Sequence, residues 1–523
     1  MRRRHGALPA WGLVFALALS ACQGGEPAET PVPGGELTVT VRDLGSLDPA
    51  VTTGRGALLV ASQVFDSLTT VDPGSGAVKP AAASGWTVSA DGLSWVFQLA
   101  DATYHDGTPV TANDFKAAFD RIARKATNSS VAFLLEAVNG FAAAKIAGTI
   151  PGLPGIKPAG PKTLRIVLDR PFAELPAFLA HPSLAPLAPA MAKNLKALQT
   201  LPIGNGAFEM RAARASDSVT LDRFDAHAGG TALLDSMQVR LVSDGDQGWR
   251  DFLDGRSDVA EVPTDAIPGA AARIGRGGFG PFWAASYYGP NLKNAKYAKP
   301  EVRKAISLAI DRDHIAREVY GGTKEAATGI IPPGIPGYDG DACAECERDV
   351  DRARTLITAA FGGKPPPMTI DHLNASPSKE VAAAVVADLK EIGLTVSLRA
   401  HNSTEYLKLL LAGGHEIAEL AWSAETPSPD GFLAQQLRTG SPNNPTGFAD
   451  KSFDTLIDQA RAATNTEARL AAYQKAQARA FEVMPLIPIV FFRNHVGVGA
   501  KVRDLRVDGA GLFDAARVWI SQR

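Results

Sequence analysis

Alternating hydrophobic and polar residues mark several strands in the first half of the chain. Leu37, Val39 and Val41 alternate with polar residues, and the same period recurs at residues 164–168 and 237–241. A period of two places one set of side chains on one face of a half-buried strand. We therefore predict strands at these three places. A fourth, fully buried strand is predicted for the apolar run PLIPIVFF, residues 485–492.

A helical period replaces this alternation from residue 301 onward. The apolar positions that share one helical face there are Val302, Ala305, Ile306, Ala309 and Ile310. Gly321 and Gly322 supply a stop signal, so we predict one amphipathic helix from 301 to about 320. Alanine-rich helical segments are also predicted over residues 452–482.

Residues 368–400 predict a strand, a helix and a second strand in succession. The helix is opened by Ser376 and Pro377, with Pro377 at its first position, and is closed at Gly393. Strands that alternate with helices in this way are typical of a βαβ unit. The pattern as a whole predicts the α/β class.

The amino terminus predicts export and a lipid anchor. Arg2, Arg3 and Arg4 precede an apolar run over residues 7–21, which is shorter than the roughly 18 apolar residues that span a bilayer. This pattern indicates a signal peptide over residues 1–21. Its end, LSAC, resembles a bacterial lipobox, in which Cys22 is diacylated and attaches the chain to the membrane. Residues 22–35, rich in Gly, Pro and Glu, predict a flexible tether.

Length, composition and charge restrict the kinds of protein to which the chain can belong. The chain has 523 residues, which favours two or three domains, and its 45% hydrophobic and 21% charged residues are typical of a globular protein. The formal net charge is -2, without a basic cluster, so we expect no nucleic-acid partner. We also expect a monomer.

Two further cysteines, Cys343 and Cys346, lie in the run GDACAECERD. In an exported protein such a pair favours a disulfide, which we expect to close a surface turn. Free thiols remain an alternative, as does a redox or zinc site, although no second pair of ligands lies nearby.

Two sequence patterns resemble enzyme motifs, but the residues in and around them do not fit those motifs. Gly275, Gly277 and Gly280 satisfy GxGxxG, but the pattern does not stand between a strand and a helix. His415 and Glu416 begin a zinc-binding HExxH string, in which Glu419 occupies the place of the second histidine. We therefore predict no catalytic residue, no metal and no cofactor.

Longer stretches resemble the family 5 extracellular solute-binding proteins, which include oligopeptide, dipeptide and nickel binders. The quoted segments are SLDP at 46–49, SGWTVSADGLSWVFQLADATYHDGTPVTANDFKAAFDR, KTLRIVLDRPFAELPAFLAHP, PIGNGAFEM, YYGPNLKNAKYAKPEVRKAISLAIDRDHIAREV and FADKSFDTLIDQA. They occur in the family's order over residues 36–523. HPSLAPLAPAMAK and the tract around Trp422 are most similar to the oligopeptide-binding branch.

The resemblance implies a two-lobed periplasmic-binding-protein-like fold of type II, in its large cluster C form. Lobe I is then discontinuous, over residues 36–64, 208–290 and 491–523. An inserted subdomain takes up residues 65–207, and lobe II takes up residues 291–490. Crossing strands would form the hinge.

The implied function is that of an extracytoplasmic lipoprotein of an ABC importer. It would capture oligopeptides in the cleft between the lobes and deliver them to a permease and ATPase complex. A peptide-sensing receptor would have the same fold. Family members also bind nickel chelates, opines and sugars, so a non-peptide solute is a further alternative.

By resemblance, two segments line the ligand. The loop after SLDP gives main-chain contacts, which fall on Thr53, Gly54 and Arg55. The second wall contains Ala421, Trp422 and Ser423. The branch binds the peptide's α-amino group through an aspartate three residues after the tryptophan, where this chain has Glu425.

Three departures from the branch concern the ligand. Leu410 and Glu419 stand where the branch has arginines that meet the peptide carboxylate. Ser423 replaces a cysteine, so a disulfide of the second lobe's cleft is absent. We therefore expect preferences for the ends of the peptide to differ from those of the branch.

Overall fold

Strands and helices alternate through the computed structural model, which describes residues 29–274 and 278–522. The strands β1 to β19 are Glu36–Val41, Thr69–Val71, Val78–Pro80, Ala83–Val88, Ser94–Leu99, Ile156–Pro158, Thr163–Val167, Phe208–Met210, Ser218–Arg223, Ser236–Leu241, Val259–Glu261, Phe279–Pro290, Glu325–Ala326, Met368–Leu373, Val396–His401, Ile417–Ser423, Ile487–Val498, Val502–Arg503 and Trp519–Ile520. The helices α1 to α14 are Arg55–Val64, Ala112–Ala123, Leu175–Phe178, Pro189–Lys193, Gly245–Leu253, Ile267–Ile274, Pro300–Ala309, Arg312–His314, Val350–Phe361, Ser378–Glu391, Ser403–Leu411, Pro429–Leu437, Lys451–Ala462 and Thr466–Val483. The predicted α/β class is confirmed.

Most of the strands and helices predicted from the sequence are present. The four predicted strands correspond to β1, β7, β10 and β17, and the alanine-rich segments form α13 and α14. The predicted βαβ unit is β14, α10 and β15, with the two strands parallel from Met368 and Val396 onward. Its helix begins at Ser378, one residue later than predicted, because Pro377 occupies the N-cap position.

The single helix predicted from residue 301 is wrong, because the chain leaves the helix at Ile310. Helix α7 ends there, in extended conformation, and Asp311 accepts a hydrogen bond from the main-chain N–H of His314 to begin α8. Arg312 is buried and donates to the carbonyl oxygens of Ser307 and Pro488. The apolar period of the sequence continues unchanged here. The helix is nevertheless interrupted, because Asp311 caps the next helix.

One large sheet carries the chain's two crossing strands. Its order is β15, β14, β16, β12, β17, β11, β1, β10, β9 and β8, and β13 pairs with β17. The first half of β17 pairs with β12 near Tyr288, and its end pairs with β11 near Val259. A register shift lies between Pro281 and Ala285 of β12. The crossing strands β12 and β17 therefore join the two parts of the sheet.

Three large groups of buried hydrophobic residues accompany these strands. The first group draws on residues 37–64, 207–239 and 496–518, and the second on residues 50–198 around the small sheet β4, β5, β7 and β6. The third spans residues 283–491 and includes Trp283, Ala285 and Tyr287 of β12. The boundaries given above for the lobes and the insert remain predictions.

The two cysteines of the CxxC run are joined by a disulfide between Cys343 and Cys346. Both are buried, at 6% and 8% exposed, and both belong to the third hydrophobic group. The expectation that they close a surface turn is therefore wrong, because the pair packs within the third hydrophobic group.

Several predictions concern residues outside the described ranges. The signal peptide, Cys22 and half of the tether lie there, as do Gly275 and Gly277 of the GxGxxG pattern. Within residues 29–274 and 278–522, no helix has both the length and the apolar character needed to cross a membrane. The same ranges contain no group of His, Cys, Asp or Glu arranged to hold a metal ion.

Candidate ligand-binding site

The loop that leads to Thr53 is fixed by a buried ion pair. Asp48, 2% exposed, accepts two hydrogen bonds from the guanidinium of Arg121 on α2, at 2.6 and 2.5 Å. The main-chain N–H of Ala50 also donates to the Asp48 carboxylate, and the hydroxyl of Thr52 donates to its carbonyl oxygen at 2.7 Å. The aspartate of SLDP thus holds the loop against α2.

Thr53 and Gly54 are exposed at the start of α1. Gly54 has φ of 90°, a conformation that favours glycine, and a Cβ there would lie 2.2 Å from Oδ1 of Asp43. Only glycine fits this position without a shift of Asp43. The carbonyl oxygen of Gly54 already accepts from the N–H of Leu58 at 3.1 Å, within the first turn of α1.

Arg55 turns its guanidinium toward the crossing strands. It donates to Oδ1 of Asn494 at 3.2 Å and lies 5.0 Å from the centroid of the Phe282 ring. Burial lowers the pKa of Arg55, an effect opposed by the charges of Glu261 and Asp508. Burial also raises the pKa of Asp508, to about 6. The arginine is thus already held by side chains of both crossing strands.

Strand β16 carries the second predicted wall, Ala421 to Ser423, along β12. The strands are antiparallel, with Trp422 opposite Ala285, and the N–H of Ala424 donates to the carbonyl of Trp283 at 2.9 Å. Hydrogen-bonded and non-bonded pairs alternate in such a ladder. It follows that the N–H and C=O groups of Ala421 and Ser423 point away from β12.

The outer edge of β16 is paired only at its beginning. Strand β14 pairs with Ile417 and Ala418, and the carbonyl of Glu419 accepts from the hydroxyl of Tyr406 at 2.6 Å. Beyond Glu419, no other strand of the described ranges pairs with this edge. Ala421 and Ser423 therefore present two main-chain donors and two acceptors at an open sheet edge.

Trp422 contributes a wall rather than a hydrogen bond. Its side chain is partly buried and packs against the third hydrophobic group. The indole nitrogen is buried and has no hydrogen-bond partner among the described residues. The side chain points to the face of the sheet opposite to those of Ala421 and Ser423, since alternate residues of a strand face opposite ways.

Glu425 follows the open edge and contacts His181, in the segment that follows α3. Its side chain is 43% exposed, and its Oε2 lies 3.5 Å from Nε2 of His181, which is 4% exposed. The hydrogen bond from His181 lowers the pKa of Glu425, and burial opposes this shift. Glu425 therefore stays ionised at neutral pH.

The two residues predicted to stand in place of the branch's arginines offer no cation. Leu410 lies on α11, and the Glu419 carboxylate accepts from the hydroxyl of Ser378 at 2.7 Å and from the N–H of Leu373 at 3.2 Å. Glu419 thus faces the beginning of α10, where negative charge is favourable.

The HExxH-like string is structural. His415 is 2% exposed, and neither ring nitrogen has a partner among the described residues. The Glu416 carboxylate binds Lys296 and the hydroxyl of Tyr297, both at 2.8 Å.

The two predicted segments meet at adjacent residues of β12. Arg55 lies over Phe282, and Ala424 bonds to Trp283, whose own N–H donates to Gly509 at 2.7 Å. The sequence had not indicated Phe282, Trp283 or Tyr406 as parts of the site. Phe282 and Trp283 come just after the GxGxxG pattern, which does not mark them as ligand contacts, and no motif covers Tyr406. His181 lies in the quoted HPS segment, but no pattern linked it to Glu425.

Comparison with known proteins identifies the relatives of this fold. Residues 77–444 match the family described as "Bacterial extracellular solute-binding proteins, family 5 Middle". The Escherichia coli (strain K12) protein named "Probable deoxycholate-binding periplasmic protein YgiS" is 26% identical, and the match covers 86% of each chain. "Dipeptide-binding protein DppE" of Bacillus subtilis (strain 168) is 24% identical, with 92% of this chain and 94% of its own covered.

Solved structures share the two-lobed type II fold. The unliganded open form of the murein tripeptide-binding protein MppA matches with a TM-score of 0.85 at 24% identity, over 94% of this chain and 99% of its own. Haemophilus influenzae OppA in complex with the peptide RPPGFSPFR matches with a TM-score of 0.70 at 22% identity, over 93% of this chain and 98% of its own. The fold predicted from the resemblance is confirmed.

Proposed function

Because the chain belongs to the bacterial extracellular solute-binding proteins of family 5, we propose that it captures oligopeptides and delivers them to the permease and ATPase of an ABC importer. The ligand would lie between the lobes, with the loop at Thr53 to Arg55 on one side and the end of β16 on the other. The protein would be a binding protein and not an enzyme.

The open edge of β16 carries this proposal. A peptide of any sequence has alternating amide donors and acceptors, so it can pair with Ala421 and Ser423 as an added strand. Such pairing provides affinity without selecting side chains. Strong selection would instead come from the ends of the peptide, and Glu425 is placed just past the open edge.

Hinge closure would complete the site. The chain superposes better on an open, unliganded relative than on a relative with bound peptide. The two crossing strands, with the register shift near Pro281, are suited to bend between the lobes. Closure excludes water and thereby strengthens each polar contact to the ligand.

The lipid anchor belongs to the same proposal. Diacylation of Cys22 would keep the protein at the outer side of the bacterial cell membrane, close to its permease. The family places the protein outside the cytoplasm, and the anchor is supported by the LSAC sequence alone.

The role of Glu425 can be tested by combining a substitution with a change in the ligand. Glu425→Ala should weaken binding of a free-amino peptide by roughly two orders of magnitude, because loss of the carboxylate leaves a buried ammonium uncompensated. Acetylation of the peptide should weaken binding to the wild type similarly and should have little effect in the variant. Isothermal calorimetry measures all four affinities.

A matched control is Glu405→Ala, which removes an exposed carboxylate of the same lobe at the start of α11. It should leave both affinities unchanged. Additive losses from Glu425→Ala and acetylation would disprove the pairing. Tight binding of deoxycholate with no peptide binding would instead favour a non-peptide anion at Arg55, as the name of one relative suggests.

A further inference from the structure

The loop that carries Glu425 is attached to the inserted subdomain at two points. His181 lies 3.5 Å from Glu425, and the hydroxyl of Ser428 donates to Glu174 at 2.5 Å. His181 and Glu174 lie at the two ends of α3, within residues 65–207. The position of Glu425 therefore depends on a part of the chain outside both walls of the proposed cleft.

The hydrogen bonds of His181 determine which ring nitrogen carries the proton. The N–H of Ser183 donates to Nδ1 at 3.1 Å, so Nδ1 is an acceptor and has no proton. In neutral imidazole the proton then lies on Nε2, the atom that faces the Glu425 carboxylate. In this tautomer the Nε2–H of His181 is the donor available to the Glu425 carboxylate, 3.5 Å away.

His181 is itself held in place. It is 5% exposed, and its carbonyl oxygen accepts from the hydroxyl of Ser67 at 2.8 Å. Its main chain and its ring are each fixed by a neighbour, so the direction of Nε2 does not depend on Glu425. Groups held in this way lose little freedom when a ligand binds.

A neutral donor has an advantage over a cation at this position. Lys or Arg would orient Glu425 but would also neutralise it, which would leave little attraction for a ligand ammonium. Neutral histidine restricts the carboxylate and leaves its negative charge uncompensated. The 43% exposure of Glu425 leaves room for a second donor on the same carboxylate.

We propose that His181 is the positioning residue for Glu425, so that the inserted subdomain sets the selection for a free amino terminus. The inference rests on the proposed function, since it assigns Glu425 to a ligand ammonium. Fixing one glutamate side chain in advance corresponds to roughly a tenfold gain in affinity.

Two variants separate positioning from local structure. Asparagine at 181 places an oxygen where Nδ1 was, so His181→Asn keeps the acceptor for Ser183 but cannot reach Glu425. Glutamine places an N–H₂ group near the former Nε2, so His181→Gln keeps the donor to Glu425 and loses the acceptor for Ser183. Unchanged melting temperatures identify variants that fold normally.

The affinity measurement uses a pool of tripeptides and the N-acetylated form of the tightest binder. His181→Asn should weaken the free-amino peptide about tenfold and leave the acetylated form unchanged, whereas His181→Gln should stay within about threefold of the wild type. Full affinity in His181→Asn, or an equal loss in both variants, would overturn the proposal.

A second measurement needs no ligand. Titration of ¹³C-labelled Glu425 in the unliganded protein should show a higher pKa in His181→Asn than in the wild type, with His181→Gln between them. An unchanged titration overturns the positioning role by itself. If the wild type binds no peptide of the pool, the proposed function fails, and the titration still decides whether His181 acts on Glu425.

Discussion

Glu174 provides a quantitative test of how the start of α3 packs against α12 and α14. The residue is 7% exposed, and its carboxylate accepts from the hydroxyls of Ser428 at 2.5 Å and Tyr473 at 2.9 Å. Burial and the nearby charge of Asp430 together raise the pKa of Glu174 to about 7, against the opposing effects of the two hydroxyls and Arg469. We predict that the wild type becomes less stable as the pH rises toward neutral, and that Glu174→Gln abolishes this decrease.

The sign of the effect follows from proton binding. Between its unfolded pKa of about 4.5 and its folded pKa of about 7, Glu174 binds more protons in the folded state than in the unfolded state. Stability therefore falls as the pH rises through this window. The loss from this one group between pH 5 and pH 8 is about 2.5 kcal/mol. Glutamine keeps an acceptor for both hydroxyls but does not titrate.

Urea unfolding at pH 5 and at pH 8 measures this change. The stability of Glu174→Gln relative to the wild type should increase by about 2.5 kcal/mol between the two pH values. Glu482→Gln is the control, because Glu482 is 63% exposed and pairs with Arg479 at the surface, where ion pairs contribute little. An equal pH dependence in the wild type and in Glu174→Gln would show that Glu174 is ionised in the fold and would refute the reasoning.

Two other predictions concern the cysteines. Replacing both Cys343 and Cys346 by serine should lower the free energy of unfolding by about 2 kcal/mol, the value expected for so short a closed loop, and reductant should then have no effect on urea unfolding of the variant. Cys22→Ala should leave the precursor uncleaved or release the protein from membranes. Cell fractionation and the mass of the amino-terminal peptide test this, and a processed, membrane-bound variant would contradict the lipobox.

The local pattern of residues predicted individual elements well and their ends less well. The period of two at Leu37 and Val39 and the βαβ unit from Met368 both depend on neighbours in sequence, which the chain displays directly. The break in the helix at Ile310 does not depend on neighbours in sequence, because the apolar period continues past it. Asp311 caps α8 there. This break between the two helices is stabilised by contacts of Arg312 with distant carbonyl oxygens.

The candidate site was predictable only through family resemblance. Thr53 and Trp422 were identified by matched motifs, and no local pattern marks either of them as a ligand contact. The open edge at Ala421 depends on the register of β16 with β12 and on the limited pairing with β14, both of which are long-range features. The contact between His181 and Glu425 is equally long-range, so it emerges only from the fold.

The charges of the site favour a ligand that is held by its amino end. The neighbouring His181 lowers the pKa of Glu425, so the carboxylate stays ionised and would attract an ammonium group. At the positions of the branch's carboxylate-binding arginines, Leu410 has no charge and Glu419 is directed toward Ser378. Since neither residue attracts a carboxylate, peptide length is not fixed by a contact at these two positions. In the proposed function, main-chain pairing at Ala421 and Ser423 would then supply affinity to peptides of different lengths that share only a free amino terminus.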